Sequence, residues 1–373
     1  MGLHPRALPD FPWDSLTPFR ERAAQHPDGV VDLSVGTPVD PTPELVRAAL
    51  RDAADAPGYP TTMGTVAVRQ AIVDWFARTR GVAGLGLDGV IPTVGSKEMV
   101  AWLPALLGLG EGDAVVFPTS AYPTYAVGAT LTGATAVAAD DPADWAGRKD
   151  VKLVWINSPS NPTGEVLGVE RLRAVVDQAR AIGAVVASDE CYAALPWSEP
   201  WTTQGVPSVL DERVSGGSHE SLLALYSLSK QSNLAGYRAA FVAGDPVVIG
   251  ALLETRKHAG MIVPAPVQAA MVAALADDEH VSSQRELYRA RRDALLPAVE
   301  RAGFTVTGSD AGLYLWATRG EDCWDTIAFL ADLGIVAAPG AFYGDAGAQH
   351  VRIALTATDE RIAQAVKRLP IRG

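Results

Sequence analysis

The chain has 373 residues, 48% of them hydrophobic, with 31 basic against 43 acidic side chains and a net charge of −12. That length suits two domains better than one small core, and no apolar run is long enough to form a membrane-spanning helix. With no basic run anywhere, neither nucleic acid nor an anionic membrane is an expected partner. Cys191 and Cys323 are the two cysteines, and the six histidines show neither H-x-x-x-H nor Cys/His spacing. Reduced thiols in a cytoplasmic protein without a structural metal are therefore expected. His258, in TRKHAG, suits a helix C-terminus better than a ligand role. The opening MGLHPRALPDFPWDSL has no apolar stretch of the signal-peptide kind, and Arg6 spoils a myristoylation pattern.

In chain order, the first 30 residues lack strand character. DGVIPTV (88–94) predicts a strand, and SKEMVAWLPALLG (96–108) a helix that begins straight after Gly95. DAVVFP (113–118), ATAVAA (134–139), VKLVWI (151–156) and AVVASD (184–189) are further strands. The helical spacing of GVERLRAVVDQARAIG separates the last two and stops at Gly183. LLALYS and RAAFVAGD complete a set of continuous apolar strands, which predicts an α/β fold with a mostly parallel sheet covered on both faces. After about residue 245 the chain turns helical, through PVVIGALLETRKHAG, APVQAAMVAALA and SSQRELYRARRDALLPAVERAG. It then gives shorter strands, FTVTG, GLYLWAT, GIVAAPG and HVRIALTA, around one helix. That α+β pattern predicts a smaller second domain, with a large domain over 31–275 and a small one built from 1–30 and 276–373.

In such a sheet, ligands bind beyond the carboxyl ends of the strands, and the polar exceptions fall there. Gly95-Ser96-Lys97 opens a helix with free N–H groups that suit a phosphate, although an ordinary capping serine looks the same. Asp189 closes an apolar run, where a carboxylate is costly unless it meets a cation or several donors. Asn161-Pro162-Thr163-Gly164 is a turn signal in its own right. Lys230 follows a buried strand in a chain that spells only six of its basic residues as lysine. Poorly solvated beside Arg238, it would be a usable amine nucleophile. An imine-forming amine, a phosphate cradle and an opposed carboxylate together suit pyridoxal 5′-phosphate.

The ordered set GSK, NPTG, DECY and SLSK-x7-R resembles the fold-type I, class I/II aminotransferases along essentially the whole chain. The longer phrases DLSVGTPVDP, GYPTTMGT, AYPTYAVGA, SLSKQSNLAGYRAAFVAGD and SDAGLYLWATRG resemble actinobacterial succinyldiaminopimelate transaminases. The resemblance implies that Lys230 forms the imine and shuttles protons, and that Asp189 pairs with the pyridine nitrogen. It also implies that Tyr192 and Asn161 bond the ring's 3′-oxygen and that Tyr122 stacks on its face. Ser96, Lys97, Ser227 and Arg238 would hold the phosphate, with Tyr59 reaching it from the neighbouring subunit of a homodimer. Arg352 would grip the substrate α-carboxylate, beside Gly36, where the backbone approaches closely. Lys97, Arg256, Lys257 and Arg319 are candidates for a distal carboxylate, and surface ion pairing competes with that role for each. Other transaminases, C–S lyases and a regulatory module on a retired scaffold remain open, since fold does not choose among them.

Overall fold

The continuous apolar runs become a seven-stranded sheet with the spatial order Val90–Val94, Ala239–Gly244, Leu222–Ser227, Val185–Asp189, Val151–Asn157, Ala114–Phe117 and Thr135–Ala138. The structure is a computed structural model that describes Leu8 and residues 12–371. Arg6 and most of the opening stretch lie outside the described residues. Among the described residues no helix is long and apolar enough to cross a membrane.

Alternate side chains of the central strands enter opposite layers, as the two-residue strand period requires, while the edge strand Thr135–Ala138 is mostly exposed. Val154 and Ile156 join the core with Phe241 and Val176, whereas Leu153 and Trp155 join the one with Met99 and Tyr125. Only Ala239–Gly244 runs antiparallel to its neighbours. The chain returns to it through a short helix, Leu228–Gln231, and the turn Ala235–Tyr237, too little for a crossover to a parallel strand. This reversal brings Arg238, at its start, to the same sheet rim as Asn157, Asp189 and Ser227, at the ends of theirs. The sheet is mixed and mostly parallel, as the sequence predicts.

The second core gathers Leu295, Leu315, Ile327, Ile353 and Ile362 around a four-stranded antiparallel sheet. Its strands are ordered Ala338–Pro339, His350–Ala354, Tyr314–Thr318 and Thr305–Thr307, beside helices Glu279–Arg301, Cys323–Asp332 and Asp359–Arg368. GIVAAPG differs from its single predicted strand. Ile335–Val336 pairs with Val31–Asp32 while Ala338–Pro339 pairs with His350–Ala354, because the chain passes from one sheet edge to another at Ala337. Val31–Asp32 thereby adds a short strand just beyond the opening 30 residues. Helix Thr17–Ala23 of the opening segment packs on Cys323–Asp332.

Candidate active site

The sheet rim and the small sheet face each other across a cavity of about 500 Å³. Ser96, Lys97, Tyr122, Asn161, Asp189, Tyr192, Ser227, Lys230, Arg238, Gly36 and Arg352 all line it. Tyr59 does not: its side chain is fully exposed.

Lys230 stands in the one-turn helix Leu228–Gln231, capped by the Ser227 hydroxyl. It reaches across the cavity to donate from Nζ to the Gly36 carbonyl at 2.7 Å. Gly36 has no alternative there, because a Cβ would lie 1.9 Å from the Tyr314 hydroxyl. Opposite, Asp189 is buried as the last residue of its strand. It accepts from the Tyr125 hydroxyl at 3.0 Å and from the Cys191 N–H at 3.3 Å. Burial pushes the Asp189 carboxyl above the usual carboxylate range, although Cys191, Tyr125 and Lys230 pull it down. Burial and the Asp189 charge together push the Tyr125 phenol up, which keeps it a donor. Tyr125 stacks on Trp155 (centroids 4.9 Å apart) and meets Tyr122 edge-on. Sequence reasoning passed over it, although AYPTY places it one helical turn beyond Tyr122.

One end of the cavity is built for an anion. Gly95 precedes helix Ser96–Leu106 with φ 78 and ψ 155, so the helix N-terminus opens on the cavity with its positive end forward. The Arg238 guanidinium fills the space beside Gly95 that a Cβ would take, 2.0 Å from Nη2. The Ser227 hydroxyl donates to that of Ser229 at 2.9 Å, and Ser229 is a further lining hydroxyl that sequence reasoning missed.

At the other end Arg352 is 3% exposed. Its Nη1 donates to Asn161 Oδ1 at 2.8 Å and its Nη2 to the Ser34 carbonyl at 2.7 Å, leaving Nε buried with no partner among the described residues. The guanidinium lies 3.9 Å from the Tyr314 ring centroid and 5.0 Å from that of Tyr343. Burial works against its charge, but the surrounding tyrosines hold it above the ordinary arginine value. A buried cation with no carboxylate in ion-pair range among the described residues is poised for an acid from outside. Tyr314, also missed, bonds the Tyr192 hydroxyl at 3.2 Å. Burial raises both phenols, and it prevails at Tyr192. At Tyr314 the neighbouring Arg352 and Lys230 charges outweigh it and hold the phenol low.

Of the distal-carboxylate candidates, only Lys97 lines the cavity. Arg256 is fully buried against Glu98, Lys257 pairs with Glu254 at the surface, and Arg319 lies 3.8 Å over the Phe329 ring. None of these three lines the cavity, and each is held in an ion pair, the competing role, with Arg319 meeting Glu321 at 3.4 Å. Arg20 and Trp13, from the opening segment, line it instead.

Comparison with known proteins agrees with this geometry. The family model described as aminotransferase class I and II matches residues 28–369. The chain is 57% identical to the Streptomyces rimosus 4-dedimethylamino-4-oxo-anhydrotetracycline transaminase OxyQ, over 98% of this chain and 99% of that one. It is 58% identical to the Mycobacterium tuberculosis protein named "Probable aminotransferase Rv1178", over 97% and 85% of the two chains. Among solved structures it resembles a Thermus thermophilus protein titled "probable N-succinyldiaminopimelate aminotransferase", with TM-score 0.85 and 26% identity over 96% and 98% of the chains.

Proposed function

This chain belongs to the class I and II aminotransferases, and we propose that it moves the amino group of glutamate onto the keto carbon of N-succinyl-2-amino-6-oxopimelate. The observation that carries the reading is Arg352, a buried guanidinium with an unpartnered Nε beside the only lysine amine that spans the cavity among the described residues. The buried arginine favours an amino acid as one substrate. The succinylated acceptor rests on the sequence phrases and on the name of the Thermus protein.

Enzymes of this family use pyridoxal 5′-phosphate, which supplies an aldehyde that captures amines and a ring that withdraws electrons from the substrate Cα. The residues present fit it. Asp189 is a buried carboxylate with no cation in ion-pair range among the described residues, and Gly95 leaves room for Arg238 where any side chain would collide. In this reading Asp189 holds the pyridine nitrogen protonated, while the Ser96 N–H and hydroxyl, the Lys97 N–H, Ser227 and Arg238 bind the phosphate. Tyr122 covers the ring face, and Tyr192 and Asn161 bond the 3′-oxygen. Arg352 clamps the α-carboxylate beside Gly36. With the cofactor bound, Lys230 Nζ would be the amine that holds its aldehyde carbon and, once freed, the base that would carry the proton from the substrate Cα to that aldehyde carbon, so that transfer needs no bulk water. Full exposure of Tyr59 supports its contact with a partner's phosphate in a homodimer. A fully active monomer in sedimentation would end that part of the reading.

The 57% identity to the Streptomyces relative favours a second reading, in which the acceptor is a ketone of the type named for that enzyme. Measuring kcat/KM for succinylated oxopimelate, oxaloacetate, pyruvate, phenylpyruvate and 4-dedimethylamino-4-oxo-anhydrotetracycline separates the two. Equal or better values with any of the last four overturn the proposed acceptor. Full turnover by Lys230→Ala overturns the mechanism.

A further inference from the structure

Two arginines meet at Ser34. Arg352 donates to its carbonyl at 2.7 Å, and Arg20 donates from Nη2 to its hydroxyl at 3.0 Å. Both line the same cavity, together with Trp13, whose ring centroid lies 5.7 Å from the Arg352 guanidinium. The remaining cations of the wall stand elsewhere. Arg238 packs against Gly95, Lys97 lies 5.9 Å from the Tyr122 ring, and Lys230 crosses to Gly36. Arg20 is therefore the cation adjoining the α-carboxylate end.

Its anchorage leaves donors to spare. Asp32 is 3.4 Å from Nη2 and accepts the Ser34 N–H and hydroxyl on its other oxygen, so it steadies the guanidinium from one side. Arg20 Nε is buried without a partner among the described residues, and the donors left for an acid are the remaining Nη N–H groups of the planar fork. The Arg20 side chain is 40% exposed, accessible to a small acid entering the cavity. An amino acid held at Arg352 by its α-carboxylate thus has a second forked donor within one residue's reach.

We propose that Arg20 binds the distal carboxylate of dicarboxylic amino and keto acids and selects glutamate-type partners over monocarboxylic ones. This rests on Arg352 as the α-carboxylate site. The test titrates the holoenzyme with glutarate and with butyrate by calorimetry, for wild type, Arg20→Gln, Arg20→Lys and Arg352→Gln. Wild type is expected to prefer glutarate. Arg20→Gln is expected to weaken glutarate about tenfold or more, each decade being about 1.4 kcal/mol, while butyrate is unchanged. Arg20→Lys restores part of the preference. Equal losses for both acids, no loss for either, or a wild type without preference overturns the role of Arg20. If Arg352→Gln leaves both acids bound as before, the α-carboxylate assignment fails instead, and the Arg20 comparison still reads independently. Loss of transaminase activity with every keto acid, alongside an intact glutarate preference, would count against the reaction and not against Arg20.

Discussion

Replacing Gly95 with alanine tests the anion end of the cavity most directly. With φ 78 and ψ 155, Gly95 occupies backbone space that other residues enter at a cost of about 1–3 kcal/mol. The new Cβ would lie 2.0 Å from Nη2 and 2.6 Å from Cζ of Arg238. Arg238 is the far end of a flexible side chain, so it swings away and its Nη1 contact with the Ala235 carbonyl at 2.8 Å is lost. A charge-assisted hydrogen bond to phosphate contributes about 1.5–3 kcal/mol, equivalent to roughly tenfold to a hundredfold in affinity. The assay compares dissociation constants for pyridoxal 5′-phosphate and for pyridoxal, with a thermal melt to monitor folding. Gly95→Ala should weaken the phosphorylated compound by that factor, leave pyridoxal within about twofold, and lower Tm modestly. Equal loss for both compounds, or none, refutes the assignment of this rim to the phosphate.

Burial pushes the Asp189 carboxyl up, against the pull of Cys191, Tyr125 and Lys230. A group raised in this way binds its proton more tightly folded than unfolded, so stability falls as pH rises from about 4 through the raised value. Cofactor-free Asp189→Asn should therefore melt above wild type at neutral pH and level with it in acid, while holoenzyme turnover drops about a hundredfold or more. A stability gain that is the same at every pH would refute this. Elsewhere, Arg80 and Glu190 form an ion pair at 2.9 Å with side chains 5% and 1% exposed, and Glu190 also accepts from Ser208 and the Val209 N–H. Arg80→Met leaves that carboxylate buried without its cation and should cost about 3–5 kcal/mol in denaturant melts. A loss under about 1 kcal/mol would mean that the other donors suffice.

The residues at the strand ends were legible because their surroundings are so regular. A run such as Ala184-Val185-Val186-Ala187 has one physical use, a strand buried on both faces. A carboxylate, amide or lysine at its end is then conspicuous, and parallel strands collect such ends on one rim. Tyr125 and Tyr314 were not legible, since an aromatic side chain in a helix or strand reads as core until its hydroxyl is seen beside Asp189 or Tyr192. Arg256 stayed open between a distal-carboxylate role and an ion pair in the sequence, and packing decides for the pair by enclosing it with Glu98 and Met261.

The sequence by itself determined the sheet, the turn residues and the polar groups that the strands deliver to their ends, because strand period and burial are local properties of the chain. The tertiary structure alone decided which distant residues share the substrate end. Ser34 and Arg352 lie 318 positions apart and touch at 2.7 Å, and Arg20 joins them through the same serine. No local pattern records such a meeting, since it follows from how two cores and an opening helix pack together around one cavity.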